Sequence, residues 1–125
     1  MEKYTECELS ILIGETIIQI ELSRNEITFH CISGFQVRMN HQQECYESVW
    51  IEDITGDLNG LIGNPILQAE CVSNESHTEE NYYKCTFYKL ATIKEYVTLR
   101  WLGESNRYYA CDVIVTALIK DFSLA

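Results

Sequence analysis

Five of the nine cationic side chains, Lys84, Lys89, Lys94, Arg100 and Arg107, fall within residues 84–111, together with Phe87, Tyr88, Tyr96, Trp101, Tyr108 and Tyr109. Only Glu95 and Glu104 oppose them there. Aromatic faces stack on a planar base, and Lys or Arg holds phosphate through charge-assisted hydrogen bonds, so this stretch suits a flat, negatively charged ligand. The same composition also describes an ordinary twisted hairpin with solvated lysines.

Other reactive groups are sparse. Glu52, Asp53 and Asp57 are carboxylates at close spacing, as acid–base or metal chemistry uses, but helix capping and solvent exposure are the better account of them. His41 and Cys45 stand four apart and could share a helical face as metal ligands, yet no further His or Cys follows at the second short spacing of a structural zinc site. His30 and His77 have no evident acid partner in the sequence. There is no GxxxxGK[ST] phosphate cradle and no GxSxG nucleophile elbow. The reading is a binding protein rather than an enzyme, with no catalytic residue, metal or cofactor expected.

The balance of charge restricts the partners. A formal net charge of -10 opposes binding to bulk DNA or RNA, although a small anion in a local basic pocket is compatible with it. No Lys or Arg occurs from Met39 to Tyr83, where Glu44, Glu47, Glu52, Asp53, Asp57, Glu70, Glu75, Glu79 and Glu80 lie, so the chain is electrically two-sided along its length. No apolar run is long enough to span a membrane, and the start MEKYTECELS is too polar for a signal peptide, which predicts a cytoplasmic protein with no membrane partner. In that reducing compartment the six cysteines, none in CxxC spacing, read as reduced and mostly buried.

These side chains need elements to hold them, and the pattern is mainly strand. At 125 residues the chain reads as one small domain over 1–125, of α+β class, predominantly antiparallel β-sheet with one or two short helices. Residues 3–12 are expected as a helix. N-terminal hairpins are expected within 13–40: TIIQIEL at 16–22 and ITFHCI at 27–32 are rich in β-branched residues and flank the polar 23–26, and Ser33-Gly34 turns the chain into 35–40. Residues 48–53 alternate as a strand with Val49, Ile51 and Asp53 on one side, and 55–63 reads as one or two helical turns capped by Asp57 or Thr55 and stopped at Gly63. Strand returns at 66–73, and 74–81, which has no apolar residue, is expected as an exposed mobile loop.

In the last third a two-residue turn at Lys94-Glu95 predicts Ile93 opposite Tyr96, Leu90 opposite Leu99, Tyr88 opposite Trp101 and Lys89 opposite Arg100. Leu90, Leu99, Tyr88 and Trp101 then form a core face, and Phe87, Lys89, Ala91, Thr98 and Arg100 form the other. A further hairpin through 105–107 would set Arg100 opposite Asp112 and Leu99 opposite Val113. Either that ion pair or an anionic ligand would relieve the like charges of Lys89 and Arg100.

Two separated blocks carry a family resemblance. HQQECYESVWIEDITGDLNGLIGNPILQAE at 41–70 and TFYKLATIKEYVTLRWLGESNRYY at 86–109 resemble a family of small phage and prophage proteins with an H-x-x-x-C-x-E-x-V-x-I-E-D-x-x-G-D-L-x-x-L-I-G-x-P-I-L block followed by T-F-Y-K-x-x-T-x-K-G-x-V-T-I-R-W-x-G-E-S-N-G-Y-Y. The family-like core covers about 41–115, and the N-terminal hairpins agree only in pattern. Glu95 stands where that family often has Gly, and Arg107 stands where Gly is common after Ser-Asn.

The resemblance is to phage anti-Thoeris (Thoeris anti-defence) sponges, and it implies a protein that sequesters glycocyclic ADP-ribose, the signal made by bacterial TIR-domain proteins, without cleaving it. It further implies a homo-oligomer, dimer or higher, with the ligand at a subunit interface, and in some members binding of cyclic oligonucleotides. On the charge and face argument, adenine would stack on Phe87 or Tyr108, the pyrophosphate would meet Lys89, Arg100 or Arg107, and Thr98 or Asn106 would supply neutral hydrogen bonds. The alternative is a protein-binding inhibitor of a host or defence enzyme, acting through the acidic tract of 39–83 as a nucleic-acid mimic. A third possibility, a metal-dependent hydrolase, needs His41, Cys45, Glu52 and Asp53 to converge.

Overall fold

Alternate burial along the strands builds the molecule: Val97, Leu99 and Trp101 point inward from one strand, Thr86, Tyr88 and Leu90 from its neighbour, and the residues between them stay partly exposed. The structure is a computed structural model and describes residues 4–41, 47–78, 80–105 and 113–118. Within these the strands are β1 Tyr4–Glu6, β2 Ile17–Leu22, β3 Glu26–Cys31, β4 Gln36–Asn40, β5 Glu47–Thr55, β6 Gln68–His77, β7 Tyr82–Ala91, β8 Tyr96–Ser105 and β9 Ile114–Leu118. They form a five-stranded sheet in the order β1-β9-β4-β3-β2 and a four-stranded sheet in the order β5-β8-β7-β6, with every strand pairing antiparallel. The mainly antiparallel fold agrees with the sequence reading, and the helical part among the described residues reduces to two 3-10 turns, Leu9–Leu12 and Leu58–Leu61.

The inner faces of the two sheets share one core. Phe29, Val37, Met39 and Val115 meet Tyr88, Leu90, Leu99 and Trp101, and the 3-10 turns add Leu9, Leu12 and Leu61 at its margins. Each large aliphatic or aromatic side chain withdrawn from water in this way contributes about 1.5–3 kcal/mol, so this layer is the main force holding the sheets together. Among the described residues no helix is long and apolar enough to cross a membrane.

Four expectations change. The described part of the helix expected over 3–12, residues 4–12, is not one: Tyr4, Thr5 and Glu6 pair with Leu118, Ala117 and Thr116, and Cys7 N–H donates to the Val115 carbonyl at 2.9 Å. A partner more than a hundred residues away wins over local helix preference, and only Leu9–Leu12 coils, burying Leu9 and Leu12. The expected loop 74–81 is largely strand, because β6 runs to His77 and bonds along β7, which needs backbone groups rather than apolar side chains. Beyond His77 the hairpin is closed by Thr78 N–H on the Asn81 carbonyl at 2.9 Å.

The third change is the β7–β8 register. The connection is four residues, 92–95, rather than the two-residue Lys94-Glu95 turn, and Thr92 closes it: its Oγ1 accepts from the N–H groups of Lys94 at 3.1 Å and Glu95 at 3.2 Å. Pairing therefore runs Leu90 with Val97, Lys89 with Thr98, Tyr88 with Leu99 and Phe87 with Arg100. A slip of two positions preserves the faces, so Tyr88, Leu90, Leu99 and Trp101 are buried together as expected, but Lys89 does not oppose Arg100. The fourth change concerns the next strand. β8 pairs with β5 on its other side, not with β9, so Arg100 lies across from Asp53; Asp112 lies outside the described residues.

Candidate ligand-binding face

Because inward positions of β7 and β8 are filled by core side chains, their alternates form an outward face of the four-stranded sheet. Phe87, Lys89, Thr98 and Arg100, four of the residues singled out from the sequence, come together there. Across the sheet the rows read Glu70, Lys89, Thr98 and Thr55, then Val72, Phe87, Arg100 and Asp53, then Asn74, Cys85, Leu102 and Trp50. Asn106, Arg107 and Tyr108, the other three, lie outside the described residues. The basic–aromatic stretch is split between faces: Trp101 is buried at 1% exposure, and Lys94 sits in the 92–95 loop.

Arg100 is the centre of this face. Its guanidinium carbon stands 5.8 Å from the centroid of the Phe87 ring, within cation–π range. Nη2 donates to Cys85 Sγ at 3.9 Å, and Nε lies 3.4 Å from Glu52 Oε2 in an ionic rather than hydrogen-bonded contact. The Cys85 sulfur foremost, then Glu52 and more distantly Asp53, move the Arg100 pKa further up, so the group is a permanent cation. Both acids reach it because β5 bulges between Ile51 and Asp53, making Glu52 the extra residue opposite β8. That bulge also ends the alternation read for 48–53: Val49 is buried, Ile51 is half-buried and Asp53 is exposed. Lys89 lies between Glu70 and Thr98 in the neighbouring row, diagonal to Arg100.

A second cation–aromatic pair has no counterpart among the residues that stand out in the sequence. Arg24, at the tip of the β2–β3 hairpin, lies 5.7 Å from the Trp50 ring centroid, and its carbonyl accepts from Ile51 N–H at 2.9 Å, tying that tip to the free side of β5. A cleft of about 500 Å³ opens beside it, lined by Leu22, Ser23, Arg24, Ile51, Glu52, Asp53 and Ile54. The signal was present in Trp50, an outward aromatic on an alternating strand, but its Arg partner comes from a turn of the other sheet.

The remaining candidates separate. Asp57 caps the Leu58–Leu61 turn by accepting from Asn59 N–H at 3.0 Å, so it does not join Glu52 and Asp53. His30 does have an acid partner, Glu21 Oε2 at 3.2 Å from Nε2, on the other sheet. Among the described residues no three His, Cys, Asp or Glu side chains gather to hold a metal ion, and Cys45 lies outside them. Chemically the face offers stacking and cation contacts set beside carboxylates, which is equipment for binding.

No curated protein and no solved structure matches this chain. The model of the DUF7448 domain, a domain of unknown function, matches residues 10–115, and the chain therefore belongs to that family.

Proposed function

We propose that this protein is a non-enzymatic sponge that captures a TIR-generated cyclic ADP-ribose-type signal, glycocyclic ADP-ribose, in the bacterial host cytoplasm and so suppresses anti-phage defence. The supporting observation is the outward face on which Arg100 stands over Phe87 with Lys89 and Thr98 in the adjoining row. A base can join the cation–π pair of guanidinium and ring, and a pyrophosphate can draw on Arg100 and Lys89. The resemblance of two sequence blocks to anti-Thoeris sponges supports this ligand class, and extends the proposal to Asn106, Arg107 and Tyr108 and to an oligomer with a shared pocket. Sequestration needs only tight binding and slow release.

The acidic reading keeps one specific support: Glu52, Asp53, Asp57, Glu70 and Glu75 are all exposed, as a nucleic-acid mimic requires. One experiment separates the classes. The protein is incubated with signal made by a TIR enzyme, re-purified, heated, and the supernatant analysed by mass spectrometry. Release of intact signal, unaffected by prior EDTA treatment, is the expected result. Altered products, or capture lost in EDTA and restored by a divalent ion, would point to a metal-dependent enzyme, and no retention would favour protein binding.

A further inference from the structure

A sheet edge is a row of free N–H and C=O groups that templates another strand, and proteins blunt it with short strands, bulges or covering chain. Among the described residues four strands stand at edges, β1, β2, β5 and β6. Three are blunted. β1 has three residues. β2 bulges between Ile17 and Gln19, and the Ile17 carbonyl accepts from Gly63 N–H. β5 bulges between Ile51 and Asp53, and its Ile51 N–H is taken by the Arg24 carbonyl. β6 is neither short nor bulged, and chain reaches it only where the Leu9–Leu12 turn lines a cleft with Ala69 and Cys71 among the described residues. It contains ten residues with no Lys, Pro or Gly, pairs with β7 without interruption from Gln68 to His77, and is exposed from Glu70 onward. Among the described residues nothing bonds to its outer side.

The ladder fixes which groups are offered. Thr78 N–H bonds the Asn81 carbonyl at the end of the hairpin, so every second residue back from Thr78 turns its backbone toward β7, and the alternates Cys71, Ser73, Glu75 and His77 turn theirs outward. We propose that β6 pairs antiparallel with the β6 of a second copy about a two-fold axis at Ser73. Outward residues must meet outward residues, which places the axis on a residue rather than between two. At Ser73 the pairs are Cys71 with Glu75, Val72 with Asn74 and Glu70 with Ser76, so no like charges oppose. An axis at Glu75 would oppose that carboxylate with its own copy. Moving the axis toward Gln68 runs into the Leu9–Leu12 turn, which packs on β6 beside Ala69 and Cys71. Glu70 and Glu75 face Lys89 and Lys84 across β7, so the edge carries local counter-charge despite the net charge of -10.

The result is one continuous eight-stranded sheet built from two four-stranded ones, with both Phe87–Arg100 faces on the same side. This assembly does not rest on the ligand reading and is tested without ligand. Ser73 N–H points outward, so Ser73→Pro removes only an intermolecular donor at an edge that tolerates proline, whereas Asn74→Pro removes a donor to β7 and serves as the destabilised control. Light scattering is expected to give the wild type a mass of two or more 14.5 kDa chains, and Ser73→Pro half of that or less with its melting temperature little changed. Should Ser73→Pro fail to fold, Ser73→Cys decides: the two thiols would sit across the axis at a Cα separation of about 5.5 Å, within disulfide reach, and oxidation should yield more covalent dimer than the wild-type cysteines give. A wild-type mass of one chain at the highest soluble concentration, a Ser73→Pro mass equal to the wild type's, or no added crosslinking in Ser73→Cys would overturn the proposal.

Discussion

Arg100 shows how a single side chain can be both engaged and available. Glu52 and Cys85 hold its guanidinium over Phe87 before any ligand arrives, so an incoming phosphate exchanges one anion for another instead of ordering a loose cation. Under the sponge reading, Arg100→Ala should weaken capture about tenfold or more, since it removes a charge-assisted contact. Glu52→Gln should strengthen it by removing the competing carboxylate. Calorimetric titration of both variants checks the pair of signs, and equal affinities in all three proteins would remove Arg100 from the site. Gly56 tests the backbone instead. It has φ +98°, and a Cβ there would stand 2.4 Å from the Tyr96 carbonyl oxygen, so Gly56→Ala should cost about 2 kcal/mol or more in chemical denaturation.

At the scale of elements, the β7–β8 hairpin positions the face and the loop 92–95 sets its register. Thr92 Oγ1 accepts two backbone donors there, so Thr92→Val should lose about 1–2 kcal/mol with little change in volume, read from the urea midpoint. Leu99, fully buried on the inner side of the same hairpin, is the opposite kind of position. Leu99→Ala leaves a cavity between the sheets and should cost about 2–5 kcal/mol. The β5 bulge is the third device: by inserting Glu52 it re-aims two acids at Arg100 and blunts one sheet edge.

For the whole molecule, the shared core sets a pH dependence. Cys31 is 3% exposed, and burial first and the nearby Glu15 carboxylate second raise its thiol pKa from 9.0 to about 11. Below pH 9 the thiol is protonated whether the chain is folded or not. Between pH 9 and about 11 the unfolded chain releases a proton that the folded chain retains, so stability falls as pH rises through this window. Cys31→Ala should flatten the slope of stability against pH there while lowering stability at neutral pH through lost packing, measured by urea unfolding across the range. An unchanged slope would show that Cys31 ionises as readily folded as unfolded.

Alternation of side chains determined much of this protein from sequence alone. Val, Ile, Thr and aromatic residues at period two gave the antiparallel class, the N-terminal hairpins and the two faces of β7 and β8, because a pleated strand sends neighbouring side chains to opposite sides wherever its partner lies. Phe87, Lys89, Thr98 and Arg100 were legible as one surface for that reason. Their opposition was not. Register depends on how the loop closes, and the Thr92 hydroxyl lengthened it from two residues to four. Strand partners were illegible as well: β8 chose β5, β1 chose β9, and the polar 74–77 became strand because β7 was there to bond it. Long-range backbone pairing and the packing of two sheets on one core leave no local mark in the chain, so tertiary structure alone set Glu52 beside Arg100, Arg24 over Trp50, and β6 at an open edge.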